Sequence, residues 1–340
     1  MEDKNGTNGT KGWVHEMKQI GSCKIHFLSK AVSPITHMGG VSGNESILNR
    51  EKVVYKKQVV DVPMLSGNAL RHRLIREPGA MHIVDVCGLR GKLNIDQANF
   101  MFTGGSLCES ATSDNIPLIE KMQRVSPLFR LLGGSLRNQI IGGSLFVSRG
   151  LLVCDENREV IDKMCPEVFA SIDGEFLPAQ AFISNCQYTR GDVMHMKDAA
   201  DIVNEEQERR KGDKQNLMIY SGESIVSGAM FYHNMTLYNV SPLEVGAALN
   251  AIHRWQITNG TIGGSIRIGH GKLDTAIMID GLVDWFGALK DPTELVTDYC
   301  SHVEKNATEF EAWLNEAFGR TKVIRKKPGK PSPTVDDGVF

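Results

Sequence analysis

The tetrapeptide Gly-Gly-Ser-aliphatic occurs four times in this chain, at Gly104 to Leu107, Gly133 to Leu136, Gly142 to Leu145 and Gly263 to Ile266. Paired glycines let one stretch of backbone approach another closely and expose its N–H groups. The chain holds 34 glycines, and they cluster. The irregular spacing of the copies excludes a solenoid repeat. The first three copies read as turns and bulges between strands. The fourth opens a run from Gly263 to Lys272 in which Arg267, His270 and Lys272 alternate with glycine. Such a loop can present both backbone N–H groups and cations to a phosphate. It is not a Walker A loop, because Ile266 stands where the first glycine belongs and Leu273 has no hydroxyl for magnesium.

Net charge is −2 over 340 residues. A nucleic-acid binder with that balance must gather its positive charge in one groove and offset it elsewhere. The seven cysteines are odd in number, and no two are spaced C-x-x-C. This speaks against a disulfide framework or a zinc site and fits a reducing cytoplasm. No apolar run has the length of a membrane span, and the N-terminus lacks a signal-peptide core. Two N-x-T sequons in the leader mean little without a secretion signal.

The pattern predicts an α+β fold in one domain from residue 13 to 319, between a disordered leader (1–12) and a basic, disordered tail (320–340). A strand is expected from Cys23 to Thr36 and a loop from His37 to Asn49. Val53 to Val62 reads as extended, with Lys56 and Lys57 at a hairpin tip. A helix should start at the Ser66 cap and stop at Pro78-Gly79, burying Leu70 and Leu74 and turning His72 and Arg76 outward. Met81 to Cys87 reads as a strand, 88–133 as a helical insertion, Ile140 to Val153 as a strand or hairpin, and 187–219 as a projecting polar insertion. Glu223 to Val240 is β-like. A second helix has Ser241 as cap, Pro242 at its first position and Glu244 completing a capping box. The glycine loop follows, then a strand from Leu273 to Ile279 and a helix from Pro292 to Phe318. Without its insertions this order is compatible with a split β-α-β core of ferredoxin-like type, the layout of the common RNA-recognition module.

Besides the fourth glycine loop, three clusters invite chemistry. Ser66, Gly67, Asn68, Arg71, His72 and Arg76 form a helix N-terminus with cations along it, a ready anion site. His37, Gly39 and Gly40, with Asn44 and Ser46, end the first strand. Tyr188, Arg190, Met194 and Met196 lie in the projecting insertion, where exposed methionines can wedge between bases. Each has a plainer alternative: a solvated face, a structural histidine, a hairpin packed on its own base. No serine-nucleophile elbow, H-E-x-x-H pair or paired Cys/His motif occurs, and neither metal nor cofactor is expected.

Together, His37 to Gly40, Val62 to Arg73 and the loop from Gly260 to Gly271 resemble the signature of the RAMP superfamily of CRISPR proteins, in matching order along the whole chain. The stretch from Ser66 to His72, followed by Glu77 to Gly79, is most similar to the type IV backbone subunit of the Cas-seven group. The resemblance implies an RNA-recognition-type palm (23–87, 134–186 and 220–290), a finger-like insertion (88–133) and a thumb-like insertion (187–219). It also implies a CRISPR guide RNA lying across stacked copies that touch head to tail, a target DNA or RNA strand, and further effector subunits, with a helicase as one candidate. The RNA contacts it implies are His37, Gly39, Gly40, Asn44, Ser46, Ser66, Gly67, Asn68, Arg71, His72, Arg76, Tyr188, Arg190, Met194, Met196, Gly263, Gly264, Ser265, Arg267, His270 and Lys272. A related branch cleaves target RNA with an aspartate in the loop after the first strand. Here Gly39 to Val62 carries Glu45 and Glu51 but no aspartate before Asp61, so no cleavage is expected. The alternatives are a RAMP-type endoribonuclease with His37 as general base and an oligomeric structural protein without nucleic acid.

Overall fold

Alternating apolar residues and tight turns make strands of residues 20–42 and 45–65. The computed structural model describes residues 20–42, 45–105, 115–137, 139–190, 218–282 and 291–319. β1 spans Ile20–Ala31, β2 Met38–Ser42, β3 Glu45–Leu48, β4 Arg50–Tyr55 and β5 Gln58–Leu65. The β4–β5 hairpin turns where expected, at Lys56 and Lys57, whose φ angles are 47° and 68°. Positive φ at both central residues is the geometry that matches strand twist in a two-residue hairpin. The expected loop from His37 to Asn49 is instead the β2–β3 hairpin, with an irregularity between Met38 and Gly40. A Cβ on Gly39 would stand 2.8 Å from Asn49 Cα, so this glycine serves close strand approach.

The helix after β5 runs further than expected. α1 (Gly67–Leu70) passes through one π-helical turn (Arg71–Arg76) and continues as α2 (Glu77–Val86). Neither the stop at Pro78-Gly79 nor the strand from Met81 to Cys87 is present. Proline in a regular helix clashes with the carbonyl four residues back. The π turn, in which Glu77 N–H reaches back to His72 O, opens the ladder just before Pro78. Gly79 is a helix-crossing point rather than a stop, since a Cβ there would lie 2.8 Å from Leu128 Cδ2. Ala80, Ile83 and Val84 are then buried at helical spacing.

α3 (Ile95–Thr103), α4 (Ile116–Val125) and α5 (Pro127–Leu132) supply the helical segment expected after residue 88. β6 (Gly134–Leu136) and β7 (Gln139–Ile141) pair with each other; β8 (Leu145–Val147) and β9 (Gly150–Leu152) return to the main sheet. Then come α6 (Arg158–Met164), α7 (Pro166–Ala170), β10 (Ile183–Arg190), β11 (Met218–Ile225), β12 (Met230–Val240), α8 (Pro242–Thr258), β13 (Leu273–Asp280), α9 (Pro292–Lys305) and α10 (Ala307–Ala317). α8 opens on the expected capping box: the Ser241 N–H donates to the Glu244 carboxylate at 2.8 Å. The last expected helix is two, divided at Asn306.

The main sheet has the order β13-β1-β12-β9-β5-β4, with β8 also on β12. β1, β9, β12 and β13 are the four strands joined through α1–α2 and α8. In space they run fourth, first, third, second, every neighbouring pair antiparallel, as in two interleaved β-α-β units. Cys23, Ile25 and Phe27 of β1 and Phe231, Met235 and Leu237 of β12 face one large core shared with Leu70, Leu74, Ala248 and Ile252. On the opposite face, Leu28, Met230, Tyr232 and Met278 pack on Ile161 and Val168 of α6 and α7. A second sheet, β10-β11-β3-β2, joins the β2–β3 hairpin to the strands that flank residues 191–217. No helix among the described residues is long and apolar enough to cross a membrane.

Candidate nucleic-acid interface

Three of the sequence motifs meet at one point. Thr36 forms a bridge with Gly264: Gly264 N–H donates to Thr36 O at 2.6 Å, and the Thr36 hydroxyl donates to Gly264 O at 2.9 Å. Gly263 has φ 84°, and a Cβ there would sit 2.4 Å from Thr36 O. No L side chain fits that conformation and that gap. One residue on, His37 Nε2 accepts from the Ser66 backbone N–H at 3.0 Å and from Asn49 Nδ2 at 3.3 Å. Two donors on Nε2 require the neutral tautomer with its proton on Nδ1. Burial pushes the imidazole pKa down in the same sense. Ser66 Oγ caps Ala69 N–H at 3.3 Å, and a Cβ on Gly67 would meet Val147 O at 2.9 Å. The start of α1 is thus held by His37 on one side and by β8 on the other.

The glycine loop is anchored at both feet and free at its tip. Ile262 N–H donates to Gly271 O (2.9 Å), and Gly271 N–H donates to Pro34 O (2.8 Å). At the tip, Ser265 (φ 57°) and Gly269 (φ 92°) flank a single 3-10 turn, Ile266–Ile268. Arg267 and Ile268 are exposed there. Lys272 is turned away, its Nζ donating to Asn259 O at the end of α8 (2.5 Å). His270 Nδ1 is buried without a partner.

The expected outward cationic face on α1–α2 is corrected. Arg76 is 6% exposed and donates to Phe100 O (3.3 Å) and Gly133 O (3.2 Å); Arg71 donates to Leu132 O. Burial first, then the neighbouring Arg71, draw the Arg76 pKa down to about 10. The first three glycine copies explain this enclosure. A Cβ on Gly105 would meet Ser135 O, one on Gly134 would meet Gly104 O, and one on Gly143 would meet Leu131 O, at 2.5, 3.0 and 2.5 Å. These copies are one knot of backbone packed on backbone, and two guanidiniums serve carbonyls around it. His72 keeps a half-exposed side chain 3.9 Å from Glu77, to which Arg73 is paired at 2.5 Å.

Residues that the motifs did not mark complete the arrangement. Glu223 of β11 accepts from Leu48 N–H (3.0 Å) and pairs with Arg50 (2.5 Å), locking the β2–β3 hairpin to the second sheet. Ser46 lies in β3 opposite Gly222 and Val41. Gly40 faces open space. Glu51 is held by Arg149 at 2.6 Å, and burial raises its pKa against the pull of that arginine. Tyr188 and Arg190 lie in β10, opposite Tyr220 and Met218. Asn44, Met194 and Met196 lie outside the described residues. Among the described residues, no three His, Cys, Asp or Glu side chains are grouped to hold a metal.

No protein-family model matches the chain, and no curated protein matches it in sequence. Among solved structures, a chain of the "Type IV-B CRISPR Complex" has the same fold. The TM-score is 0.51 and the identity 13%, covering 75% of this chain and 90% of that one. At that identity the likeness is one of fold.

Proposed function

We propose that this chain is an RNA-binding backbone subunit of a type IV CRISPR effector, coating a guide RNA as a row of identical copies in the cytoplasm. The observation that carries the reading is the fold shared with a chain of a type IV-B CRISPR complex. The meeting of Thr36-His37, Ser66-Gly67 and Gly263-Gly264 supports it. In this reading the main sheet and its two helical crossovers are an RNA-recognition-type palm, residues 88–133 a finger and 187–219 a thumb. Arg267 at the loop tip, exposed and without an ion pair among the described residues, takes an RNA phosphate, with backbone N–H groups of the loop beside it. Arg71 and Arg76 act one step behind, by holding the helix that carries Ser66 and Gly67. Copies meet head to tail, a heterologous contact that builds an open filament, and target strand and other subunits join the loaded array.

A cleaving role is the weaker reading. His37 Nε2 is spent on the Ser66 N–H and the Asn49 amide, which leaves it no free lone pair to act as a base. Glu51 is engaged by Arg149. The test is purification of the chain from cells that supply guide RNA, followed by nuclease treatment and sequencing of what it carries. Guide-derived RNA protected in regular steps is expected. Nucleic-acid-free protein, or RNA of random origin, would overturn the proposal.

A further inference from the structure

The helices on the two faces of the main sheet carry opposite charge. α6, α7 and the loop after them, residues 158–177, lie on the face opposite the large core, where Ile161, Val168 and Phe176 pack. Glu159, Asp162, Glu167, Asp173 and Glu175 of this segment are all exposed, against two exposed cations, Arg158 and Lys163. None of the five carboxylates is in an ion pair among the described residues. Val160 and Leu177 are exposed on the same segment. On the core side of the sheet, α2 and α8 border a cleft of about 320 Å³ lined by Arg73, Arg90 and Arg254 together with Pro78, Met81 and Trp255. Glu77 and Asp85 belong to the same lining, paired with Arg73 at 2.5 Å and with Arg90 at 2.7 Å. Arg254 is half-buried, and its Nε donates to Asn250 Oδ1 at 3.1 Å. It has no ion pair among the described residues.

Opposite charges on opposite faces limit how two copies can meet. A two-fold dimer through either face would set like charge against like charge, which disfavours association. A second copy in the same orientation instead brings its α6–α7 face to the α2–α8 cleft of the first, a heterologous contact that can repeat. We infer that the α2–α8 cleft receives the acidic α6–α7 face of a second copy, with one of its carboxylates on the Arg254 guanidinium. A nucleic-acid strand suits the cleft less well. Two of its three guanidiniums are already neutralised by Glu77 and Asp85, and the one left unpaired matches a single carboxylate rather than a row of phosphates. The inference rests on the reading of copies in a row and names the faces through which they touch.

The test is a charge exchange, read as self-association by sedimentation of the nuclease-treated protein at low salt. Arg254→Glu spoils the cleft, and Glu159→Arg with Asp162→Arg spoils the acidic face. Each variant should weaken self-association at least about tenfold while melting close to the parent. Arg254→Gln, neutral and less disruptive, gives the same readout if Arg254→Glu does not fold. An equimolar mixture of the cleft and face variants should associate again, because each supplies the surface that the other lacks. Unchanged self-association in both variants, a mixture that stays apart, or a parent that is monomeric at low salt overturns the pairing. Affinity for a short unstructured RNA is measured on the same proteins. Weaker RNA binding by Arg254→Glu at unchanged self-association overturns the pairing in favour of a nucleic-acid contact. A parent that shows the charge exchange but binds no RNA leaves the pairing standing and overturns the RNA-binding reading instead.

Discussion

The backbone N–H of Ser66 donates to Nε2 of His37 at 3.0 Å, across 29 positions of sequence. This bond ties the residue just before β2 to the start of α1, at the point where the glycine loop also rests.

Replacing His37 by Ala should therefore cost stability, because Ser66 N–H and the Asn49 amide lose their acceptor. The expected loss is about 1–3 kcal/mol, read from urea unfolding, and His37→Asn should recover part of it. Burial lowers the His37 pKa. Its contribution is therefore present above the unfolded value of about 6.5 and is lost as pH falls, when protonated Nε2 can no longer accept. A His37→Ala protein whose acid lability equals that of the parent would contradict this.

Two other histidines set a broader acid limit. His233 stacks on Phe27 (centroids 4.3 Å apart) with neither ring nitrogen bonded, and burial brings its pKa down to about 3. His82 falls to about 4, first by burial and then by the charge of Arg254. Both remain neutral in the fold while the unfolded chain takes up protons below about pH 6.5. Each should withdraw up to about 1.4 kcal/mol of stability per pH unit as the pH falls from there towards those folded values. Unfolding free energies measured from pH 7 to pH 4.5 should show this decline, and His233→Phe should flatten it.

Arg76 and Arg267 should behave oppositely, although both looked like surface cations in the sequence. Arg76→Ala strands the carbonyls of Phe100 and Gly133 and should cost on the order of 3 kcal/mol. Arg267→Ala should leave the melting temperature unchanged and reduce the salt slope of RNA binding by about 0.7, the share of one single-strand phosphate contact.

What was legible in the sequence was local chemistry. The capping box of Ser241 and Glu244 and the turn at Lys56-Lys57 depend on residues two or three apart, and both stand where expected. The split β-α-β expectation counted Met81 to Cys87 as a strand, where the chain is helical, and the strand that fills that place in the 4-1-3-2 order is β9. The error at Arg76 involved distant partners. Whether Arg76 faces water depends on Phe100 and Gly133, and nothing within four residues of it reports that. Pro78 reads as a stop unless the π turn ahead of it is known. His37, Ser66 and Gly264 were each singled out, but not the bonds that join them.

Glycine positions separate close packing from mere flexibility. Gly263→Ala must place a Cβ 2.4 Å from Thr36 O at φ 84°, and should lower both the melting temperature and RNA affinity. Gly40→Ala, with open space around it, should melt within a degree or two of the parent. Equal melting of the two variants would show that the loop does not depend on its seat against Thr36.

The proposed function rests on binding of single-stranded RNA through its phosphates. The most direct measurement is the affinity of the purified protein for an unstructured RNA across a salt titration. Log affinity should fall linearly and steeply with log salt. Affinity that is absent at low salt, or flat across the titration, would contradict it.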